Sequence, residues 1–292
     1  MRVCRYNGDR LGVALVEEGV VADVTGALEV LPVVRWPPAP GDQLVRELPA
    51  VREAIERLLP VAPRVALDAV ELQSPVANPS KVIGAPLNYA RHQQEVGEQV
   101  AIHANTHASR FDGFATPIDK LGLFLKAGTS LVGPSAGVRL AQTGRRTDHE
   151  VELAVVIGRQ AADVAPQDAL GLVAGYCIGL DMTVRGPEGR SFRKSPDSYT
   201  VLGPWLVTAD EVPNPDALAI SLHVGDELRQ RASTADLIVD VRELIALASR
   251  WYTLYPGDVI LTGTPEGVGP VRAGDVMTAE LEGVGLMRVP VT

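Results

Sequence analysis

The run Asp148-His149-Glu150-Val151-Glu152-Leu153-Ala154-Val155-Val156-Ile157-Gly158 has a polar head and an apolar, β-branched body. The body, Val151–Ile157, reads as a buried strand. Side chains i and i+2 share one face of a strand. Glu150 and Glu152 therefore project together, about 7 Å apart along the strand at a rise of ~3.4 Å per residue. Ala154 and Val156 continue that face inward. Two carboxylates held side by side repel and raise each other's pKa unless they share a cation. Hard oxygen ligands suit Mg2+, Mn2+ or Ca2+. The same alternation also fits the wet end of a half-solvated strand, so spacing alone leaves both readings open.

Strand-like runs punctuated by Gly and Pro surround this segment. They are Lys81–Gly84, Leu123–Lys126, Leu172–Leu180, Trp205–Thr208, Ile220–Val224, Val259–Thr262 and Val276–Leu281. Only Val239–Ser249 carries a clear helical stripe, through Val241, Leu244, Ile245 and Ala248. The pattern reads as a mostly β, mixed-sheet domain rather than regular βαβ units. Towards the N-terminus, Arg2–Tyr6, Leu11–Glu17 and Gly19–Asp23 read as short strands, the first two joined by a hairpin turn at Asn7-Gly8-Asp9. Leu44–Leu59 is helical in spacing, and Pro49 inside it suggests two short helices, the second starting at the proline. The proline-bearing stretch 71–80 reads as a linker. The expected organisation is a small N-terminal α+β domain, 1–75, and a catalytic domain, 76–292.

The whole chain has 292 residues, one main domain plus an appendage in size. Its 27 Lys and Arg against 36 Asp and Glu give a net charge of −9, a poor match to a nucleic-acid backbone. An aromatic content of 4% disfavours a base-stacking platform. Cys4 and Cys177 make neither a disulfide framework nor a thiolate zinc site. The N-terminus has no apolar signal core, and no stretch has the ~18 uncharged apolar residues a bilayer span needs. These features together lead us to expect a soluble, cytoplasmic protein with neither nucleic acid nor membrane as partner.

Further residues could carry chemistry. Asp181 ends the apolar run Leu172–Leu180, as a turn cap or as a ligand, and Arg185 follows four residues on. In LNYARHQQE, residues 87–95, His92 and Glu95 meet if the segment is helical. A carboxylate beside an imidazole fixes its tautomer, which suits a base acting on water; a surface salt bridge would look the same. Lys194, in Arg193-Lys194-Ser195-Pro196-Asp197, could hold a developing anion or be solvated. Gly257–Gly269 runs from a strand into a glycine-rich turn through Gly263 and Thr264; such turns present N–H groups to anions, and the stretch is not a P-loop.

Six segments in order, LNYARHQQE, FLKAGTSLVGP, DHEVELAVVIGR, AGYCIGLDMTVR, RKSPDSYTVLGPWLVTADEVP and PGDVILTGTPEGVG, resemble the fumarylacetoacetate hydrolase family along the C-terminal three-quarters of the chain. The resemblance implies a mixed β-roll catalytic domain with a small N-terminal domain, usually a homodimer. It also implies a divalent cation, Mg2+ or Mn2+ with Ca2+ as an option, on Glu150, Glu152 and Asp181. It makes His92 the base, Glu95 its orienting carboxylate and Lys194 a group facing the substrate anion. Arg185, Tyr89, Gly263 and Thr264 fall in the substrate-binding set. The implied substrate is a small 2-oxo or β-diketo acid of the acylpyruvate type. Water attacks the distal carbonyl, the C–C bond breaks and an enolate leaves, with Lewis-acid help where that charge develops.

The chain departs from the family pattern at three places. Pro86 precedes the LNY segment where a glycine is common, and Glu188 replaces a frequent glutamine. A negative Glu188 would favour a cationic or hydroxylated substrate over a second carboxylate. Residues 97–123, with His103, His107 and Arg110, form a longer insert that suggests a mobile lid or a plain surface loop. Two other readings remain: decarboxylation or keto–enol isomerisation of a 2-oxo acid on the same site, and a non-catalytic β-rich binding module. A binding module needs no base near the carboxylates.

Overall fold

The computed structural model describes residues 1–98, 116–141 and 144–292, the side chains of 96–98 excepted. The chain opens with strands β1 (Arg2–Tyr6), β2 (Arg10–Leu15) and β3 (Val20–Asp23), helices α1 (Gln43–Arg46) and α2 (Leu48–Leu58), and strands β4 (Arg64–Ala66) and β5 (Leu72–Gln73). Then follow β6 (Val82–Gly84), α3 (Ala90–Glu98), α4 (Pro117–Leu121), β7 (Phe124–Lys126), β8 (Leu131–Val132), β9 (Thr147–His149) and β10 (Val151–Ile157). After these come β11 (Val173–Asp181), β12 (Thr183–Val184), α5 (Arg190–Lys194), β13 (Thr200–Thr208), β14 (Ala219–Val224) and β15 (Glu227–Ser233). Helix α6 (Val241–Trp251) and strands β16 (Val259–Leu261), β17 (Gly269–Pro270), β18 (Val276–Leu281) and β19 (Gly285–Pro290) complete the chain.

One large mixed sheet runs β4-β3-β2-β1-β13-β11-β10-β16-β6-β7. Two smaller sheets are β12-β9-β17 and β15-β14-β18-β19. The expected mostly β, α+β architecture is present. Apart from Glu152, strand β10 is apolar because both its faces are covered. Val151, Leu153, Val155 and Ile157 enter one core cluster, while Ala154 and Val156 enter another with Val45, Leu48 and Leu261. The N-terminal segment has its own cluster, in which Val51, Ala54 and Ile55 of α2 pack on Val3, Leu11 and Val13. Its sheet nevertheless continues into the central one, since β1 pairs antiparallel with β13.

Glu47 and Pro49 mark the expected break between α1 and α2, with the proline in the first turn of the second helix. The stretch 71–80 is not wholly a linker, because β5 pairs with β1 inside it. Trp205–Thr208 is only the tail of β13. The strand starts at Thr200, and its pairing with β11 skips register between Tyr176 and Ile178, opposite Gly203-Pro204. A proline cannot donate to a ladder, and the irregularity accommodates it within a buried strand. Of the insert 97–123, residues 99–115, including His103, His107 and Arg110, lie outside the described residues. Its C-terminal part forms α4, closed by a capping box between Thr116 and Asp119.

Candidate active site and metal centre

The site lies at a corner in the sheet. The chain passes from β9 to β10 through Glu150, and from β11 to β12 through Met182. On either side of these breaks the two strand pairs belong to different sheets, β9 with β12 and β10 with β11. The Asp181 N–H donates to the Glu150 carbonyl at 2.8 Å and ties the two bends together. The corner turns Glu150, Glu152 and Asp181 towards one point, where each offers an oxygen within 4.8 Å of the others. All three are buried, at 6%, 2% and 1% exposure. The wet-strand alternative therefore fails. This is the one such cluster among the described residues.

Cations surround the carboxylates. Lys194 Nζ donates to Glu150 Oε2 and Asp181 Oδ2, both at 2.6 Å, and to Thr183 Oγ1 at 2.8 Å. Lys126 Nζ donates to Asp181 Oδ1 and, at 2.7 Å, to the Tyr199 carbonyl. Arg185 reaches Asp148 Oδ2 at 2.7 Å and Glu150 Oε1 at 3.4 Å. Burial opposes ionisation of Glu150, yet Lys194 and Arg185 hold its pKa below the carboxylate range. Burial, then the neighbouring Asp181, pushes Glu152 well up. Burial likewise opposes the charged form of Lys194, but Asp181 and Glu150 raise it, whereas burial outweighs Asp181 at Lys126 and lowers it. Lys126 was not among the residues singled out from the sequence, although its segment, FLKAGTS, was one of the family motifs.

His92, on α3, lines the same cleft as the three carboxylates. Its Nδ1 lies 3.1 Å from Glu95 Oε2, and Glu95 also accepts from the Gly267 N–H at 3.2 Å. With Nδ1–H donated to the carboxylate, Nε2 is left as the basic nitrogen. The helix needed for this contact is present, so the i, i+3 reading of the segment holds.

The opposite wall carries Thr264, whose hydroxyl accepts from Gln230 Nε2 at 2.8 Å. Gln230 also donates to the Pro265 carbonyl at 2.9 Å, while its oxygen meets His149 Nδ1 at 3.0 Å and accepts from Val151 N at 3.1 Å. This buried amide from β15 thus stitches the carboxylate strand to the Thr264 turn. Because Thr264 Oγ1 accepts from it, the hydroxyl hydrogen is free to point elsewhere. Nothing in the local pattern of β15 marks Gln230 as more than a strand residue. The Gly263 N–H is spent on Glu152 Oε2 at 2.6 Å, so it orients a carboxylate rather than facing a ligand. Its φ of 101° and an added Cβ only 2.7 Å from the Asn88 Cβ explain the glycine. Tyr89 is 2% exposed, its hydroxyl finds no partner among the described residues, and it is absent from the cleft walls. Of the sequence-derived set, Tyr89 and Gly263 stand behind the cleft, and the others stand on it or join its polar network.

The cleft has a cavity volume of about 50 Å³ and is lined by Pro86, Leu87 and Phe124 as well as by the charged groups. Leu87 holds a left-handed φ of 52° there. Glu188 does not line it; Arg145 grips the Glu188 carboxylate in a fork of 2.9 and 2.7 Å. The donor set fits a hard divalent cation, which would relieve the crowding of buried carboxylates seen in the raised Glu152.

Residues 81–292 match the family model described as fumarylacetoacetate (FAA) hydrolase C-terminal. A maleylpyruvate hydrolase from Aquipseudomonas alcaligenes is 56% identical over 291 residues, covering 100% of this chain and 99% of the relative. The mitochondrial oxaloacetate tautomerase Fahd2a of Rattus norvegicus is 35% identical over 252 residues, 82% of this chain and 74% of that protein. The crystal structure of maleylpyruvate hydrolase from Sphingobium sp. SYK-6 in complex with manganese (II) ion and pyruvate is 41% identical, with a TM-score of 0.81, and covers 100% of this chain and 99% of that one.

Proposed function

The chain belongs to the fumarylacetoacetate hydrolase family, and from that premise we propose that it is a metal-dependent hydrolase cleaving a C–C bond in a short acylpyruvate, with Glu150, Glu152 and Asp181 as metal ligands and His92, Glu95 and Lys194 as its catalytic group. The carrying observation is that the His92–Glu95 pair, 3.1 Å apart, opens on the cleft that holds the three carboxylates. A binding module has no use for a base there.

A bound divalent cation, Mg2+ or Mn2+, supplies a Lewis acid for the 2-oxo acid head. His92 Nε2 takes a proton from water, Glu95 fixing the ring and stabilising the imidazolium that forms. The water oxygen bonds to the distal carbonyl carbon, the adjoining C–C bond breaks and its electron pair leaves on the pyruvate enolate, which is then protonated. Lys194, kept cationic by its carboxylate neighbours, stabilises that anion. Arg185 and the hydroxyl of Thr264 orient the polar ends of the substrate. The leading alternative, tautomerisation or decarboxylation of a 2-oxo acid, draws on the oxaloacetate tautomerase relative. Decarboxylation needs no base to activate water, so the His92–Glu95 pair favours hydrolysis over it.

We further propose a cytoplasmic homodimer with a catalytic unit at 76–292 and a smaller unit at 1–75. The dimer rests on family membership. No described helix is long and apolar enough to cross a membrane, and Cys4 and Cys177 are free and buried. The activity is tested with acetylpyruvate, fumarylpyruvate and oxaloacetate, with EDTA or with added Mg2+ or Mn2+. We expect metal-dependent loss of enol absorbance with release of pyruvate from the acylpyruvates. Pyruvate from oxaloacetate alone would move the reading to decarboxylation.

A further inference from the structure

We propose that Gln230 is a positioning residue for the reaction: it commits the Thr264 hydroxyl to donate into the cleft, so that this wall favours acceptor oxygens on the bound acid; this deepens the hydrolase reading and rests on it.

Gln230 is the one fully buried position of β15, the others being exposed or half-buried. An apolar side chain would fill such a place without needing partners, whereas a buried amide must satisfy both its oxygen and its NH2. Gln230 satisfies both. Its oxygen accepts from the Val151 N–H at 3.1 Å and meets His149 Nδ1 at 3.0 Å. Its nitrogen donates to the Thr264 hydroxyl at 2.8 Å and to the Pro265 carbonyl at 2.9 Å. Val151 N–H can only donate and the Pro265 carbonyl can only accept. Turning the amide over would set donor against donor at one end and acceptor against acceptor at the other. The amide therefore has one orientation, and His149 carries a proton on Nδ1 in either of its charge states.

The fixed amide decides what Thr264 does. Thr264 is buried and lines the cleft. A lone pair of its oxygen is occupied by the Gln230 NH2, and no acceptor among the described residues takes its hydrogen. A hydroxyl free to rotate could offer a bound acid either its hydrogen or a lone pair; this one offers its hydrogen. The oxygens of an ionised 2-oxo acid, and of the enolate formed from it, are acceptors. A donor whose direction is set before binding stabilises them without reorganisation. Gln230 does not itself line the cleft, so it acts on a ligand through Thr264. The turn it grips also holds Glu152 through the Gly263 N–H at 2.6 Å and Glu95 through the Gly267 N–H at 3.2 Å. Lost activity on removing Gln230 could therefore travel by several routes, and coupling to the hydroxyl identifies this one.

The test is a double-mutant cycle. Gln230→Met keeps the volume and removes the amide. Gln230→Glu keeps an oxygen for Val151 and His149 but makes the other end an acceptor, which takes the Thr264 hydrogen and turns a lone pair into the cleft. Each is made alone, with Thr264→Ser, which keeps the hydroxyl, and with Thr264→Val, which removes it. Oxalate, ionised and so carrying acceptor oxygens only, is titrated calorimetrically into Mn2+-loaded protein below the melting transition of each variant. Thr264→Val should weaken oxalate binding roughly 10-fold, the scale of one hydrogen bond to a charged group. Gln230→Glu should weaken it at least as much, and Gln230→Met roughly 3-fold or more, both alone and with Thr264→Ser. With Thr264→Val the Gln230→Met effect should shrink below about 2-fold. Direct repulsion by the new carboxylate operates with and without the hydroxyl and cancels in the cycle, so Gln230→Glu decides the matter where Gln230→Met does not fold. The kcat/KM for acetylpyruvate should follow the same pattern. Gln230 losses that persist undiminished with Thr264→Val would overturn the proposal and leave the amide a purely structural group. Coupling in oxalate binding by a protein that cleaves no acylpyruvate would keep the role of Gln230 and remove the hydrolase reading; cleavage without coupling would do the reverse.

Discussion

Glu95→Gln changes a charge without changing volume, and so isolates what the carboxylate does for His92. Glu95 Oε2 lies 3.1 Å from His92 Nδ1 and 3.2 Å from Gly267 N, with Oε1 3.3 Å from the same Gly267 N. Both neighbours present N–H donors when the imidazole is neutral and protonated on Nδ1. A glutamine has one oxygen for this arrangement. With that oxygen at the Oε2 position, its NH2 faces the Gly267 N–H, donor against donor. With the amide turned over, the NH2 faces Nδ1 and drives the ring proton to Nε2, where no lone pair remains to accept from water. The better rotamer still replaces a charge-assisted bond by a neutral one, a difference of about 1–1.5 kcal/mol. Acylpyruvate hydrolysis should fall ~5- to 15-fold in Glu95→Gln. His92→Ala should lower it about 100-fold or more, the scale of general base catalysis. Initial rates of enol-absorbance loss with acetylpyruvate at saturating Mn2+ supply the measurement, with oxaloacetate decarboxylation, where the protein supports it, as the internal control. Hydrolysis undiminished in Glu95→Gln, or equal losses of both reactions in His92→Ala, would refute water activation and leave His92 as a substrate-positioning group.

Asp181→Asn should abolish calorimetric Mn2+ binding and also destabilise the metal-free fold by ~3–5 kcal/mol, because it strands the Lys126 ammonium in the core. Adding Lys126→Met should restore much of the lost melting temperature without restoring metal binding. Gln230→Leu removes the amide that joins His149, Val151, Thr264 and Pro265. It should cost ~2–4 kcal/mol, read as a lower urea midpoint, since several buried groups lose their partner together. Burial pushes the Cys4 and Cys177 thiols up to about 12 from 9.0. Neither should react with a disulfide reagent in the native protein at pH 8, and both should react in guanidinium. Because folding raises these pKa values, their contribution is fully present below the unfolded value, and the denaturation midpoint should drop as pH climbs from about 9 towards 12. Sedimentation at micromolar protein should give a dimer, and a species of 31.0 kDa alone would reject it.

Much of the site was legible because it is written in strands. The period-2 rule leads to Glu150 and Glu152 as neighbours, although Glu150 sits in the break between β9 and β10 and the corner completes the arrangement; Val151–Ile157 and Val276–Leu281 form strands with the bounds read from the sequence. His92 and Glu95 are legible for the equivalent reason in a helix. Gln230 and Lys126 were less so, because their roles depend on pairings distant in sequence: 79 residues separate Val151 from Gln230, and 55 separate Lys126 from Asp181. Periodicity reports which face a residue shares with its neighbours, not which strand is laid against it. Strands β15 and β19 escaped for a related reason: ELRQRAS and GLMRVP are polar or mixed, and pairing with β14 and β18 makes them strands. Tyr89 and Gly263 show the converse. Their motifs place them correctly near the site, yet the fold sets one in the interior and uses the other to hold a carboxylate.

The position of Glu150 explains why this site can hold several buried charges. A carboxylate in the middle of β10 would have a covered sheet face on each side and no route to a cation. At the break between β9 and β10 the ladder changes partners, and the side chain reaches Thr183, Lys194 and Arg185 without displacing core residues. The Asp181–Glu150 backbone bond fixes the opposing strand at the same bend, so Glu150, Glu152 and Asp181 are set by one corner rather than by three loops. Rigid elements hold a site to the sub-ångström tolerance that metal and transition-state binding require. On this argument, loosening the corner should be as damaging as removing a ligand. Met182→Gly, at the bend, keeps every ligand and adds backbone freedom. It should weaken Mn2+ affinity measurably in calorimetry by an added ordering cost of ~1 kcal/mol or less from the backbone, together with the loss of a buried side chain from the core. Unchanged Mn2+ affinity in a destabilised Met182→Gly protein would show that the ligands find their positions without the corner.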